Sequence, residues 1–94
     1  MKGGMPLAQT SNFLIEQAQD LRLYFWMPSE YVGFLQAVID AEDHLARIRT
    51  ERQKDDRALI LLMCDLSREK ESRDLLRYAA EELEIQLEFV DSIL

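Results

Sequence analysis

Two apolar segments decide the expected fold of this chain: LRLYFWM at residues 21–27 and ALILLMC at residues 58–64. In the first segment, apolar residues at odd positions alternate with Arg22, Tyr24 and Trp26, and this two-residue period predicts a strand with one face in the core. The second segment is apolar on both faces, which is typical of a central strand. Both segments are therefore predicted to lie in the middle of a sheet.

Two further segments are less apolar. Residues 46–52 (ARIRTER) and 85–90 (IQLEFV) alternate between a more apolar and a more polar side. This alternation predicts two half-buried strands, and their charges are typical of the edges of a sheet. The polar tetrad QKDD at residues 53–56 predicts the hairpin that joins the second strand to the third.

Apolar residues at intervals of three and four predict two amphipathic helices. Ser29 follows Pro28 and is predicted to cap the first helix, and Asp65 or Ser67 to cap the second. Gly33 is expected to allow close packing near the first turn. The expected inward residues are Tyr31, Phe34, Leu35, Val38, Ile39 and Leu45 in the first helix, and Leu75, Leu76, Tyr78, Ala79 and Leu83 in the second.

The predicted order from residue 21 onward is strand, helix, strand, strand, helix, strand. It indicates an α+β, ferredoxin-like βαββαβ two-layer sandwich, in which a four-stranded antiparallel sheet carries two helices on one face. The first and third strands are central in that arrangement, which agrees with their apolar composition. The alternative is an all-helical fold, because residues 34–94 contain no Gly or Pro. It would require residues 58–64 to form a helix that is apolar all round.

The length of 94 residues is sufficient for one domain with a thin core. Residues 21–94 are predicted to form that ferredoxin-like domain, and residues 1–20 to form an N-terminal leader. Within the leader, residues 13–18 fit a short helix and a short strand equally well, and the sequence leaves both open.

The chain is acidic, with 18 Asp and Glu against 11 Lys and Arg and a net charge of −7. Nucleic-acid phosphates require clustered positive potential, so nucleic acid is not an expected partner. The N-terminus lacks the apolar core of a signal peptide and the longest apolar run is seven residues, so no membrane span or membrane partner is expected. A single cysteine, Cys64, cannot form an internal disulfide, which predicts a cytoplasmic location.

Candidate catalytic and metal-binding groups are few. Asp40 and His44 have a four-residue spacing that can present two metal ligands on a helix, but with no second His this segment is interpreted as a solvated acidic helix end. Cys64 is interpreted as a small core residue, and Ser29 and Ser67 as helix caps. We therefore expect no enzyme activity, no catalytic residue, no metal and no cofactor.

The sheet face that the helices leave uncovered is the predicted interaction site. Its centre is expected to combine the aromatic side of the first strand with either Leu59, Leu61 and Met63 or Ala58, Ile60 and Leu62. An aromatic centre with a charged border is typical of protein interfaces. The alternative is that residues 7–20 fold back and cover this face. The expected interface residues are Arg22, Tyr24, Trp26, Leu61, Met63, Arg47, Arg49 and Glu88.

Charge is unevenly distributed between the two expected edge strands. Residues 47–57 are rich in Arg and Lys, and residues 81–94 are rich in Glu. Charged edges commonly prevent a strand from pairing with other chains. The alternative is that the two edges are complementary and join subunits side by side.

The segment YFWMPSEYVGFLQAVIDAEDHLARIRTE at residues 24–51, followed by ALILLM and a second amphipathic helix, resembles small bacterial ACT-like domains, in particular an uncharacterised stand-alone family of unknown function. The resemblance implies βαββαβ topology and association through sheets. It also implies a site for an amino acid or similar metabolite beside the first helix, where Gly33 resembles the glycine of the family's turn. Ser29, Glu30 and Gly33 are the ligand-binding candidates that follow from it.

These observations lead to two hypotheses. The first is a non-enzymatic interaction module that self-associates, as a homodimer or other homo-oligomer, or docks a protein partner through its open sheet face. The alternative is an ACT-like regulatory sensor that binds a small-molecule ligand near the N-terminus of the first helix, where backbone N–H groups can receive a carboxylate.

Overall fold

The structure, a computed structural model, describes residues 20–90 of the chain. Its elements, in order, are β1 (Asp20–Pro28), α1 (Val32–Ala41), β2 (Ala46–Lys54), β3 (Arg57–Asp65), α2 (Glu69–Leu83) and β4 (Glu88–Val90). A 3₁₀ turn precedes each helix, at Ser29–Tyr31 and Leu66–Arg68. The all-helical alternative is therefore wrong. The question of a helix or strand at residues 13–18, and of cover by residues 7–20, lies outside the described residues.

The four strands form one antiparallel sheet in the order β2-β3-β1-β4. The inner strands β1 and β3 pair along their whole length, from Asp20 opposite Asp65 to Pro28 opposite Arg57. The charged strands β2 and β4 form the two edges. The apolar composition of the two inner segments predicted this placement, because a strand whose two faces are both shielded from water needs apolar residues on both faces.

The core lies between the helices and one face of the sheet. Alternate residues of β1 and β3 point to that face because side chains alternate along a strand. Both helices pack on the same face, since their buried residues belong to the same cluster. We call it the inner face. Its core cluster is Leu23, Phe25, Met27, Leu35, Ile39, Ala58, Ile60, Leu62, Cys64, Leu76 and Ala79.

Some boundaries differ from the sequence-based expectation. The first helix ends at Ala41, and Leu45 is buried in the turn that follows it. The fourth strand is limited to Glu88–Val90, because residues 85–87 do not pair with β1. Ile85 and Leu87 nevertheless pack against the core, whereas Phe89 is 48% exposed, so the apolar alternation of this segment predicted burial only in part and a strand that is too long.

The chain turns at residues with left-handed backbone where glycine is more usual. His44, Asp55 and Glu84 have φ values of 61°, 57° and 56°, and each lies in a connection between elements. Glu84 ends α2, where the Ile85 N–H donates to the Ala80 carbonyl at 3.0 Å. These positions reconcile a glycine-free segment with tight turns, at a cost of about 1 kcal/mol for each left-handed residue.

Two local expectations for the first helix are wrong. Ser29 does not cap it, because its hydroxyl donates to the Asp56 carbonyl at 3.0 Å and no side-chain cap bond is formed there. Gly33 does not permit close packing, since an added Cβ would meet no atom within 4 Å. The expected cap at the second helix is also absent, as Asp65 makes no side-chain cap bond and the residue that precedes α2 is Arg68.

Candidate interaction surface

The sheet face opposite the helices, which we call the outer face, is organised in cross-strand rows. Residues that pair directly on neighbouring strands share a face, so each row can be followed from β1 through β3 to β2. From one end to the other, the rows are Arg22–Met63–Arg47, Tyr24–Leu61–Arg49, Trp26–Leu59–Arg52 and Pro28–Arg57–Lys54. On the other side of β1, Glu88 pairs with Trp26 and Val90 with Tyr24.

All eight residues predicted as an interface lie in these rows, on one face of the sheet. The structure also shows which side of β3 faces away from the helices, a choice that the sequence left open. Leu59, Leu61 and Met63 belong to the outer face, because Ile60 and Leu62 lie in the core cluster between the helices and the sheet.

The outer face is less open at its centre than expected. Tyr24, Trp26 and Met63 are half-buried, whereas Leu59 is 4% and Leu61 1% exposed. Large side chains flank each leucine, since Leu61 lies between Tyr24 and Arg49 in its row. Leu61, one of the expected interface residues, is therefore shielded, and the accessible part of this face is aromatic side chain, Met63 and arginine.

A β-bulge in β2 changes which residues reach the outer face. The register shifts between Thr50 and Arg52, so Arg52 pairs with Leu59 and Lys54 with Arg57. In a regular strand, Arg52 and Lys54 would lie on the face of the sheet opposite to Arg47 and Arg49. The bulge instead sets four cations along one side of the edge strand. We call Arg47, Arg49, Arg52 and Lys54 the basic row.

Sequence reasoning missed the basic row for a physical reason. Beyond Ile48, β2 contains only the polar residues RTERQK, so no apolar residue shows which side chains of this part of the strand face the core. The sequence did contain a signal. Glu51 and Arg52, which have opposite charges, follow Thr50 in succession, whereas strict alternation would place a less polar residue at one of these two positions. That pattern is compatible with a bulge and does not identify it.

Two ion pairs organise the charges of the outer face. Arg49 is bonded to Glu51, the extra residue at the bulge. Arg57 Nη2 contacts Glu88 Oε1 at 2.9 Å, which joins β3 to β4 across the outer side of β1 near Trp26. Glu88 was expected on the border of the interface, and its partner Arg57 was not identified from the sequence.

Acidic residues lie at both ends of the outer face. At one end, Asp20 pairs with Asp65, and both line a cleft of about 380 Å³ together with Arg22 and Arg47. At the hairpin end, Asp55 and Asp56 line a cleft of about 350 Å³. That second cleft also includes Trp26, Lys54, Arg57 and Glu88. Each end of the outer face thus combines carboxylates with cations.

The ligand-binding candidates lie beside the β2–β3 hairpin. Ser29 donates both its N–H and its hydroxyl to the Asp56 carbonyl, at 2.8 and 3.0 Å. Glu30 is exposed, and its carboxylate raises the pKa of the Tyr31 hydroxyl through a hydrogen bond and through its charge. Gly33 is exposed one turn later. Ser29 therefore ties the start of the first helical segment to the hairpin.

The remaining chemical groups are dispersed. Within residues 20–90 no cluster of three or more His, Cys, Asp or Glu side chains could hold a metal ion. His44 Nε2 lies 3.2 Å from Asp43, whereas Asp40 accepts a hydrogen bond from Gln36, so the two candidate ligands have different partners. Cys64 is a free thiol, buried in the core cluster.

Comparisons of the chain with protein-family models, with curated proteins and with solved structures gave no match. Among the helices of the described residues, none has the length and apolar character needed to cross a membrane.

Proposed function

We propose that this domain is a non-enzymatic interaction module of ferredoxin-like and ACT-like type that self-associates through its outer face. The observation that carries the proposal is the presence of half-buried Tyr24, Trp26 and Met63 on a sheet face where neither helix packs. Support for the ferredoxin-like class comes from the sheet order, with each helix following an inner strand.

The composition of the outer face favours a protein partner. Aromatic residues, Met and Arg are enriched in protein interfaces, and Trp, Tyr and Arg supply most of the residues whose truncation costs binding energy. Trp26 and Tyr24 occupy adjacent rows and are flanked across the sheet by arginines. They are the expected anchors of the contact.

The arrangement of charge favours a second copy of the chain in one orientation. Arg47 and Arg49 lie along the β2 side of the face, and Glu88 lies on the opposite side, on β4. A two-fold axis parallel to the strands sets β2 of one protomer over β4 of its partner. Rows stay aligned under that axis, so Glu88 faces Arg52, the β2 residue of its own row, and the aromatic side of β1 meets β3 of the other copy.

The test is sedimentation equilibrium over a wide concentration series. We expect the wild-type protein to dimerise, and Trp26→Ala and Trp26→Glu to weaken dimerisation at least tenfold with little change in thermal melting temperature. Tyr78→Ala is the matched control, because Tyr78 is an aromatic residue 52% exposed on α2. A wild-type protein that stays monomeric at high concentration contradicts the proposal.

The alternative function, a sensor of an amino acid or similar metabolite beside Ser29, has weaker support. Both hydrogen-bond donors of Ser29 are already engaged by the Asp56 carbonyl, so a carboxylate would have to displace them. A thermal-shift screen with amino acids separates the two proposals, because a ligand of the folded state raises the melting temperature.

A further inference from the structure

The basic row defined above is a regular array of positive charge. Arg47, Arg49, Arg52 and Lys54 pair with Met63, Leu61, Leu59 and Arg57, which are successive outer-face positions of β3. Two residues along a strand span about 6.7 Å, so the four cations repeat at that distance over about 20 Å. The bulge at Glu51 is what keeps this repeat regular.

Little within the domain neutralises the row. All four side chains are exposed, and within residues 20–90 only Arg49 has an ion-pair partner, Glu51. The whole chain carries a net charge of −7, so a cluster of cations runs against its composition. Like charges at this spacing repel one another and are stabilised when an anionic partner binds.

The row has a defined length. At the Arg47 end, Asp20 and Asp65 lie in the next position of the outer face, and at the Lys54 end the hairpin residues Asp55 and Asp56 follow. A long polyanion such as a nucleic acid would continue past both ends and meet these carboxylates. The negative net charge of the domain would also oppose its approach at long range.

We propose that the basic row binds an extended acidic segment of a partner protein, about seven residues long, with Glu or Asp at alternate positions. In an extended chain, alternate side chains lie on one side and repeat at about 6.7 Å, which matches the repeat of the row. Four carboxylates then face four cations. The basic row lies on the face that the proposed dimer buries, so a bound acidic segment and a second copy of the chain exclude each other there.

Fluorescence anisotropy with a labelled heptapeptide tests this inference. The probe has Glu at positions 1, 3, 5 and 7 and Thr between them, and the comparison peptide has the same composition with its four Glu contiguous. We expect the alternating peptide to bind at least fivefold more tightly than its isomer. We also expect its binding to weaken as salt increases, because exposed charges are screened.

Variants of the row supply the second arm of the test. Arg47→Glu combined with Arg52→Glu should weaken binding of the alternating peptide at least tenfold. The matched control, Lys70→Glu with Arg77→Glu on α2, makes the same change in net charge and should alter binding less than twofold. Arg47→Gln with Arg52→Gln is the milder pair to use if circular dichroism shows that charge reversal unfolds the domain.

Several outcomes would overturn the inference. They are equal binding of the two peptides, equal loss in the α2 control, and tighter binding of single-stranded RNA than of the alternating peptide. Trp26→Ala separates this inference from the proposed function. We expect this variant to lose dimerisation in sedimentation and to bind the alternating peptide at least as tightly as the wild type, because its basic row is no longer covered by a second copy, so each proposal can fail without the other.

Discussion

The helix α2 and the edge strand β2 both carry several basic residues, but these residues differ in whether an acidic side chain pairs with them. On α2 each cation has an acidic partner three or four residues away: Lys70 pairs with Asp74, Arg73 with Glu69 and Arg77 with Asp74, all at 2.8–2.9 Å. On β2, within the described residues, only Arg49 has one. A helix brings residues four apart together, whereas a strand aligns every second residue on one side.

The same two elements are held to the domain in different ways. Helix α2 inserts Ser72, Leu76 and Ala79 fully into the core, whereas β2 has no fully buried residue and packs on the core only through half-buried Ala46 and Ile48. These two residues lie on the inner face, and the four cations of the basic row lie on the outer face. The basic row can therefore contact a partner without loss of core contacts.

The largest effect is expected at the one buried polar side chain of the described residues. Ser72 is fully buried, and its Oγ has no hydrogen-bond partner within that part of the chain. Ser72→Ala removes a hydroxyl that is desolvated without compensation and improves helix propensity, so the free energy of unfolding should rise by about 1 kcal/mol. Urea denaturation measures it.

The control for Ser72→Ala is Ser67→Ala, at an exposed position in the turn before α2. We expect that change to alter stability by less than about 0.5 kcal/mol, as is usual for surface substitutions. A loss of stability in Ser72→Ala would show that the hydroxyl is bonded in solution, and that α2 has no unsatisfied polar group.

The sequence predicted the elements wherever burial alternates. LRLYFWM keeps a two-residue period throughout, so its inward face could be derived. ALILLMC is apolar on both faces, so its inner position in the sheet could be derived but not which side faces the helices. The eight residues of the interface prediction share a face, and for Leu61 and Met63 this was one of the two choices left open. The burial of Leu61 could not be predicted, since it depends on the large side chains of neighbouring strands that flank it.

The features that escaped sequence reasoning are those without an apolar marker. The bulge lies where β2 is entirely polar, and the left-handed turns at His44, Asp55 and Glu84 have no glycine to mark them. The bond from Ser29 to Asp56 joins segments 27 residues apart. A local pattern reports local geometry and burial, and long-range polar contacts need the folded chain.

Charge reversal in β2 and in α2 should change the free energy of unfolding in opposite directions, each by a smaller amount. Arg52→Glu replaces one cation in a row of like charges by a carboxylate, so we expect stability to rise by about 0.5 kcal/mol. Arg77→Glu on α2 places a carboxylate three residues from Asp74 and breaks their ion pair, so stability should fall by about 0.5 kcal/mol. Thermal and urea unfolding at low salt measure both variants.

High salt is the internal control for this pair of variants. The distance beyond which exposed charges are largely screened falls from about 10 Å at 0.1 M salt to about 3 Å at 1 M, so the two shifts should shrink together as salt increases. Shifts of the same sign at low salt would contradict the comparison. They would mean that the basic row is compensated within the protein as the helix cations are.

The smallest effect concerns the acidic partner on α2. Hydrogen bonds from Lys70 and Arg77 hold the pKa of the Asp74 carboxyl below its ordinary value. Because the folded-state pKa is lowered, the stability that these contacts add is present above the ordinary pKa and is lost as pH falls through the folded-state pKa. Nuclear magnetic resonance titration should show Lys70→Gln and Arg77→Gln each raising the pKa of Asp74, whereas Lys54→Gln on β2 leaves it unchanged. If neither helix variant changes the pKa of Asp74, the exposed charged side chains of α2 interact with one another as weakly as those of the basic row. The contrast between the two elements would then depend on packing alone.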